Sequence, residues 1–186
     1  QRDFWRSHGI SFIHEVEEVG HDMEHLSILD VGLWHGARII LAATMFATHK
    51  HTEPVRLTGV TLEDYRHESQ TWRVRAAAQD GTVGHAVTDV TRDQLPSQCF
   101  NIAYSFETLL HINDPASAVA NLCQSVMAGG VIYFNCLPEQ ATIIDSVLQG
   151  HSELEVDKRP AVPSDFDAKF SPDARRYNYR IAVSGA

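Results

Sequence analysis

Short hydrophobic runs alternate with longer amphipathic stretches along the chain. The first run, SILDVG at residues 27–32, is apolar almost throughout, which is typical of a central parallel strand buried on both faces. ARIILAATMFATHK follows with the composition of a helix, and VRLTGVTL is strand-like beyond Pro54. This alternation predicts an α/β fold in which helices cover both faces of a parallel sheet.

The alternation continues as far as Gly150. EDYRHESQTWRVRAAAQ is helical in pattern, VGHAVTD and CFNIAYSF are strand-like, and VIYFNCL is followed by the helical PEQATIIDSVLQG. Between the last two strands, Asp114 is an expected N-cap, Pro115 a first helical residue and Gly129 a stop. The buried stripe of that helix is predicted to comprise Val119, Leu122, Cys123, Val126 and Met127.

The C-terminal part of the chain has a different pattern. SELEVDKRP and RRYNYRIAVSG are strand-like, and the residues between them contain Pro163 and Pro172 and no helical periodicity. Two strands joined without a helix are expected to be antiparallel neighbours. The sequence therefore predicts a doubly wound, Rossmann-like sheet of seven strands, mostly parallel with a C-terminal antiparallel pair. We expect residues 1–26 to form a short helical cap on a domain of residues 27–186.

The composition limits the classes of function that the chain can have. The 186 residues, 44% of them hydrophobic, suit one compact domain, and the formal net charge of -9 disfavours a nucleic-acid partner. No apolar segment is long enough to span a membrane. The three cysteines lack CxxC spacing, which favours reduced thiols and a cytoplasmic location.

The eleven histidines raise the question of a metal site. His21 and His25 are four residues apart, and His49 and His51 are close together, but neither pair has an HExxH motif or a suitably placed third ligand. The first pair fits a solvated acidic helix better. We therefore expect no metal.

Five landmarks follow one another in an order typical of a known family. LDVGLWHG has the form of an acidic residue and a GxGxG turn, and LTGVTLED and VTDVTRDQLP end the next two strands with acidic residues. FNIAYSFETLLHINDP and MAGGVIYFN complete the series. In these features the chain resembles the class I S-adenosylmethionine-dependent methyltransferases, particularly those acting on small molecules.

The resemblance implies S-adenosylmethionine as cofactor and assigns residues to it. In that family the glycine turn receives the methionyl part, the end of the second strand holds the ribose, and the end of the third strand contacts the adenine. The implied cofactor contacts are Asp30, Gly32, Leu33, Trp34, Gly36, Leu62, Glu63, Asp89, Val90 and Ser105. Solvated carboxylates at strand ends are the alternative for Glu63 and Asp89.

Two further residues are candidates for catalysis. His111 follows the fourth strand where the family faces its substrate, and near neutral pH an imidazole can take a proton from an attacking hydroxyl or amine. The alternative is a histidine that only orders the start of the next helix. Glu107 is a candidate for orienting a substrate amine.

Trp34 departs from the family pattern because it stands where a glycine is expected. Its ring can turn away from the cofactor, lie beside the cofactor's cation, or block the pocket. We therefore expect methyl transfer to an oxygen, nitrogen or carbon nucleophile of a small molecule. The alternatives are a degenerate domain kept as an interaction module and a cyclase-like enzyme on the same scaffold. A homodimer, or a place within a larger chain or synthase, is compatible with the sequence.

Overall fold

The structure is a computed structural model of the 186-residue chain. It describes residues 18–19, 26–32, 56–62, 83–161 and 176–185. The helices predicted for residues 37–50 and 63–79 lie outside these ranges, as does almost all of the predicted N-terminal cap.

We number the described elements in chain order. The strands are β1 (Ser27–Val31), β2 (Arg56–Thr61), β3 (Val83–Val87), β4 (Phe100–Ser105), β5 (Val126–Cys136), β6 (Leu154–Pro160) and β7 (Tyr177–Val183). The longer helices are α1 (Pro115–Ser125) and α2 (Pro138–Leu148), and a single turn of 3₁₀ helix spans Leu109–His111.

The described strands form one sheet in the order β3-β2-β1-β4-β5-β7-β6. β1 to β5 run parallel, and β7 is antiparallel to both β5 and β6. The predicted seven-stranded, mostly parallel sheet with an antiparallel C-terminal pair is therefore confirmed. Chain order reverses between β1 and β4, and open α/β sheets bind ligands at the carboxyl ends of strands beside such a reversal.

Apolar residues bury both faces of the sheet. On one face, Leu122 of α1 and Ile144 of α2 are fully buried in a single cluster with Phe134 of β5. On the other face, Ile28 and Tyr133 are also fully buried. Burial on both faces is the reason that these strands read as nearly continuous apolar runs in the sequence.

α1 begins as the sequence predicts. Pro115 is its first residue, and the Asp114 carboxylate accepts hydrogen bonds from the Ser117 backbone N–H at 3.1 Å and from the Ser117 hydroxyl at 2.7 Å. These bonds hold the pKa of Asp114 below its usual value, with the hydroxyl contributing most. The N-cap is thus charged and satisfied at neutral pH.

α1 ends before Gly129, so the predicted end of this helix was wrong. Val126 and Met127 belong to β5, where Val126 pairs with β4. A Cβ at Gly130 would lie 2.6 Å from the Asn101 carbonyl oxygen, so the two strands approach closely there. Met127 is only partly buried, because pairing with β4 replaces the helical continuation that the apolar pattern indicated.

Within the residues that the structure describes, no helix is long and apolar enough to cross a membrane.

Candidate functional site

A cavity of about 800 Å³ opens at the carboxyl ends of β1 to β4, beside the reversal of chain order. Its described lining comes from the ends of these strands and from two loops that follow β3 and β4. We call residues 88–95 the Asp89 loop and residues 106–112 the His111 loop. The cavity therefore has one wall formed by the β1 and β2 ends, one by the Asp89 loop and one by the His111 loop.

Gly32 begins the turn after β1. It has φ +85, a conformation that favours glycine, and its N–H donates to the Val60 carbonyl oxygen at 2.9 Å. A Cβ at this position would lie 1.8 Å from Thr108 Oγ1, so the His111 loop packs directly against the turn. The absence of a side chain at Gly32 thus brings two walls of the cavity together.

We expect Gly32→Ala to destabilise the protein by about 2 to 4 kcal/mol, because it adds both backbone strain and overlap with Thr108. Gly129→Ala is the matched control, since Gly129 has φ +80 but a Cβ there would meet nothing within 4 Å. That control should show only the backbone cost of about 1 to 2 kcal/mol. Urea unfolding of both variants measures the difference. Equal losses would show that Thr108 moves aside without cost.

The Asp89 loop is folded around its own side chains. Asp89 Oδ1 accepts from the Thr91 N–H at 3.0 Å and from the Thr91 hydroxyl at 2.7 Å, and these bonds hold the pKa of Asp89 below its usual value. Asn121 of α1 donates to the Val90 and Asp93 carbonyl oxygens at 3.1 and 2.6 Å. The loop therefore presents an ionised carboxylate to the cavity on a supported backbone.

Glu107 begins the His111 loop in a left-handed conformation, with φ 59. Its N–H donates to Asn135 Oδ1 at 2.8 Å, and Asn135 Nδ2 donates back to the Glu107 carboxylate. Arg176 Nη1 lies 2.5 Å from both carboxylate oxygens. The charge of Glu107 is therefore opposed by a guanidinium, and its side chain joins the ends of β4, β5 and β7.

His111 closes the single 3₁₀ turn of the same loop. Its imidazole is exposed, lines the cavity and has no hydrogen-bond partner among the described residues. The backbone around it is held by Gln140, whose side-chain Nε2 donates to the Leu109 carbonyl oxygen at 2.8 Å and to that of Ile112 at 3.3 Å. The ring is thus open to a ligand while its backbone is anchored.

Asp30 and Ser105 lie behind the cavity rather than on its surface. They are 1% and 0% exposed, and Asp30 Oδ2 and Ser105 Oγ have no hydrogen-bond partner within the described part of the chain. Burial raises the pKa of Asp30 to about 8, an effect that the neighbouring Tyr104 side chain only partly offsets. Asp30 is therefore mostly protonated at neutral pH.

The structure brings six of the predicted site residues to one cavity, and they come from four separate parts of the chain. These residues are Gly32, Leu62, Asp89, Val90, Glu107 and His111. Leu33, Trp34, Gly36 and Glu63 lie outside the described residues. All of these assignments stay predictions, because position alone does not establish contact with a ligand.

Sequence reasoning missed the residues that support the site. Thr108, Asn135 and Arg176 have no local signature that connects them to Gly32 or Glu107, since each acts across 28 or more positions or through loop packing. Gln140 has a weak signature, because a glutamine at the third position of a helix often caps it. Its two bonds to the His111 loop span 31 and 28 positions and carry no sequence signal.

Comparison with known proteins places the chain in a family. The sequence profile of a methyltransferase domain family matches residues 29–134, which is more than half of the chain. The chain belongs to the class I S-adenosylmethionine-dependent methyltransferase family. A protein of Pyrenophora dematioidea named O-methyltransferase is 28% identical over 102 residues, which cover 55% of this chain and 36% of that protein. This methyltransferase domain thus matches only about a third of that relative's length.

Solved structures share the fold of this methyltransferase domain. The cyclase SpnF superposes with a TM-score of 0.65 and 13% identity, covering 94% of this chain and 81% of SpnF. Phosphoethanolamine N-methyltransferase 2 of Haemonchus contortus, solved with S-adenosylmethionine, gives a TM-score of 0.62 and 16% identity over 94% of this chain and 52% of its own. At these identities the likeness establishes the fold alone.

Proposed function

We propose that this domain transfers a methyl group from S-adenosylmethionine to an oxygen, nitrogen or carbon nucleophile of a small molecule. The observation that carries the proposal is the cavity of about 800 Å³ at the reversal of chain order, with the open imidazole of His111 on its wall. Its volume falls in the range of small-molecule sites. The name of the Pyrenophora dematioidea relative favours oxygen as the acceptor atom.

The charge of the described lining supports a cationic cofactor. Asp89, Glu107 and Asp114 contribute carboxylates. Glu107 is paired with Arg176, and Asp89 lies 3.7 Å from Arg92, the one guanidinium among the described lining residues, so the described lining keeps a net negative charge. S-adenosylmethionine carries a sulfonium, an ammonium and a carboxylate group and is net cationic, so a net negative lining favours its binding electrostatically. The residues present therefore fit this cofactor.

Each group in the proposed site has a separate task. When bound, the cofactor supplies an electrophilic methyl group on its sulfonium. We assign its adenine to Asp89 and Val90, with Leu62 beside them, and its ribose to Glu63. The methionyl part is assigned to Gly32 and its neighbours Leu33, Trp34 and Gly36, with Asp30 and Ser105 supporting them from behind.

His111 would act on the acceptor. Its imidazole would accept the proton that a hydroxyl or amine loses as it attacks the methyl group, which requires the neutral ring. Glu107 would orient an acceptor amine through its carboxylate. The Arg176 guanidinium already neutralises that carboxylate, so this role suits a polar contact better than proton transfer.

Trp34 supports a second candidate, a degenerate domain that no longer binds the cofactor and is kept as an interaction module. An indole at the second glycine position of the turn adds volume where the family leaves space. A cyclase-like enzyme is a third candidate, since SpnF shares the fold. Both would leave the His111 loop without a role in methyl transfer.

Calorimetric titration with S-adenosylmethionine and S-adenosylhomocysteine tests the proposal, with ATP as a control that shares only the adenosine part. We expect both ligands to bind and ATP to bind far more weakly. If the indole lies beside the sulfonium, Trp34→Gly should weaken S-adenosylmethionine binding by about 1 kcal/mol, roughly fivefold. If the indole blocks the pocket, the same variant should bind more tightly. Failure of the wild type to bind either ligand would refute the proposal, and binding by Trp34→Gly alone would favour the degenerate domain.

We also propose a small-molecule acceptor and a cytoplasmic location, with neither nucleic acid nor a membrane as partner. The net charge of -9 is the main support for excluding nucleic acid. A homodimer, or a place within a larger synthase, stays a prediction.

A further inference from the structure

The side-chain amide of Gln140 makes three hydrogen bonds to backbone groups. It lies in the first turn of α2 and is 8% exposed. Its Oε1 accepts from the Leu137 N–H at 3.0 Å, which caps the helix, while Nε2 donates to the Leu109 and Ile112 carbonyl oxygens. One buried amide therefore ties the start of α2 to the His111 loop.

The two carbonyl groups that Gln140 holds lie on either side of His111. At the end of the turn, the His111 N–H donates to the Thr108 carbonyl oxygen and the Ile112 N–H to that of Leu109, both at 3.0 Å. A single turn of 3₁₀ helix has little stability of its own. The position of the imidazole therefore depends on contacts from outside the turn.

Asn135 holds the other end of the same loop through its two bonds to Glu107. The His111 loop is thus attached at both ends to one short segment, residues 135–140, at the junction of β5 and α2. A loop fixed at two points by buried amides keeps a narrow range of positions, which is what proton transfer at a defined distance requires.

We propose that Gln140 is a positioning residue, which sets the place of the His111 imidazole at the cavity through its two bonds to the loop backbone. The inference rests on the proposed function, because it acts through the general base. Gln140 is not among the described residues that line the cavity, so the effect proposed for it acts through the loop backbone.

Two substitutions distinguish the role of Gln140 in capping α2 from its role in holding the His111 loop. Gln140→Glu keeps an oxygen that can accept from the Leu137 N–H but removes both donors to the loop, whereas Gln140→Met removes all three bonds at similar length. We expect both variants to lower the rate of methyl transfer by about 10-fold or more, with cofactor affinity unchanged. Hydrogen exchange in residues 106–113 should accelerate in both.

Ser125→Ala is the matched control. It also removes a buried side-chain bond, from Ser125 Oγ to the Leu122 carbonyl oxygen at 2.8 Å, but at the end of α1. Exchange in residues 106–113 and the rate should be unchanged. Asn121→Leu is a second comparison, because Asn121 holds the Asp89 loop in the same way. That variant should accelerate exchange in residues 88–95 and weaken cofactor binding instead.

A double substitution distinguishes positioning from general loss of stability. If Gln140 acts through His111, Gln140→Met should lower the rate much less in a His111→Ala background than in the wild type. The inference would be overturned if the two substitutions lowered the rate additively. It would also be overturned if the Gln140 variants had the same hydrogen exchange and the same rate of methyl transfer as Ser125→Ala. Absence of cofactor binding in the wild type would instead refute the proposed function. In that case, hydrogen exchange at the wild-type rate in residues 106–113 of the Gln140 variants would also overturn the inference that Gln140 holds the His111 loop.

Discussion

Replacing His111 with alanine is expected to lower the rate of methyl transfer by about 100-fold or more while leaving cofactor affinity unchanged. The imidazole lines the cavity and is exposed, so it is placed to take a proton from an acceptor. The rate of the wild type should fall at acidic pH, where the ring is protonated and cannot accept a proton. The variant should lack this acidic limb.

Single-turnover transfer from labelled S-adenosylmethionine across pH measures this effect. The acceptor is first found by screening small alcohols, phenols and amines for release of S-adenosylhomocysteine. His151→Ala is the matched control, since His151 is also on the surface but pairs with Glu153 at 2.7 Å, away from the cavity. A His111→Ala variant that keeps the wild-type rate and pH profile but unfolds at lower temperature would show that His111 only orders the loop.

Replacing Asp30 with asparagine is expected to remove a large pH dependence of stability. Burial raises the pKa of Asp30 from 3.8 to about 8 in the folded protein. Between these values the folded state holds a proton that the unfolded state has lost, so the free energy of unfolding falls as pH rises, by about 1.4 kcal/mol per pH unit. This loss of stability is absent at pH values below the lower pKa and fully present above the higher pKa.

Urea unfolding at pH 5 and pH 8 tests this expectation. Between the two pH values the wild type should lose up to about 4 kcal/mol more than Asp30→Asn. Asp157→Asn should keep the wild-type slope, because Asp157 is a partly exposed carboxylate paired with Arg159. An equal slope in the wild type and Asp30→Asn would show that the pKa of Asp30 is not raised in the folded protein.

The predicted order of strands in the chain agrees with the structure because strands buried on both faces need continuous apolar runs. β1 is one such run, and it was found within one residue of its observed end at Val31. The antiparallel arrangement of β6 and β7 also followed from sequence, because two strands without a connecting helix have no room for a parallel crossover. The order of strands across the sheet was accessible only through the family resemblance.

The end of α1 could not be predicted from the local apolar pattern. Val126 and Met127 continue the helical apolar stripe of PASAVANLCQS, but Val126 pairs with Phe100 of β4 and both residues lie in β5. A periodic pattern records which residues prefer burial, and both a helix and a strand can bury them. Contacts with a distant strand decide between the two.

The sequence by itself determined the fold class, the N-cap of α1 and the residue types at the strand ends, because these depend on burial periodicity and on chemistry local to each element. Only the tertiary structure decided that Gly32 meets Thr108, that Arg176 neutralises Glu107 and that Gln140 holds the loop of His111. Each of these contacts joins residues far apart in the chain. No periodicity encodes them, since a single hydrogen bond or close approach needs only one residue at each end and the folded sheet to bring the two together.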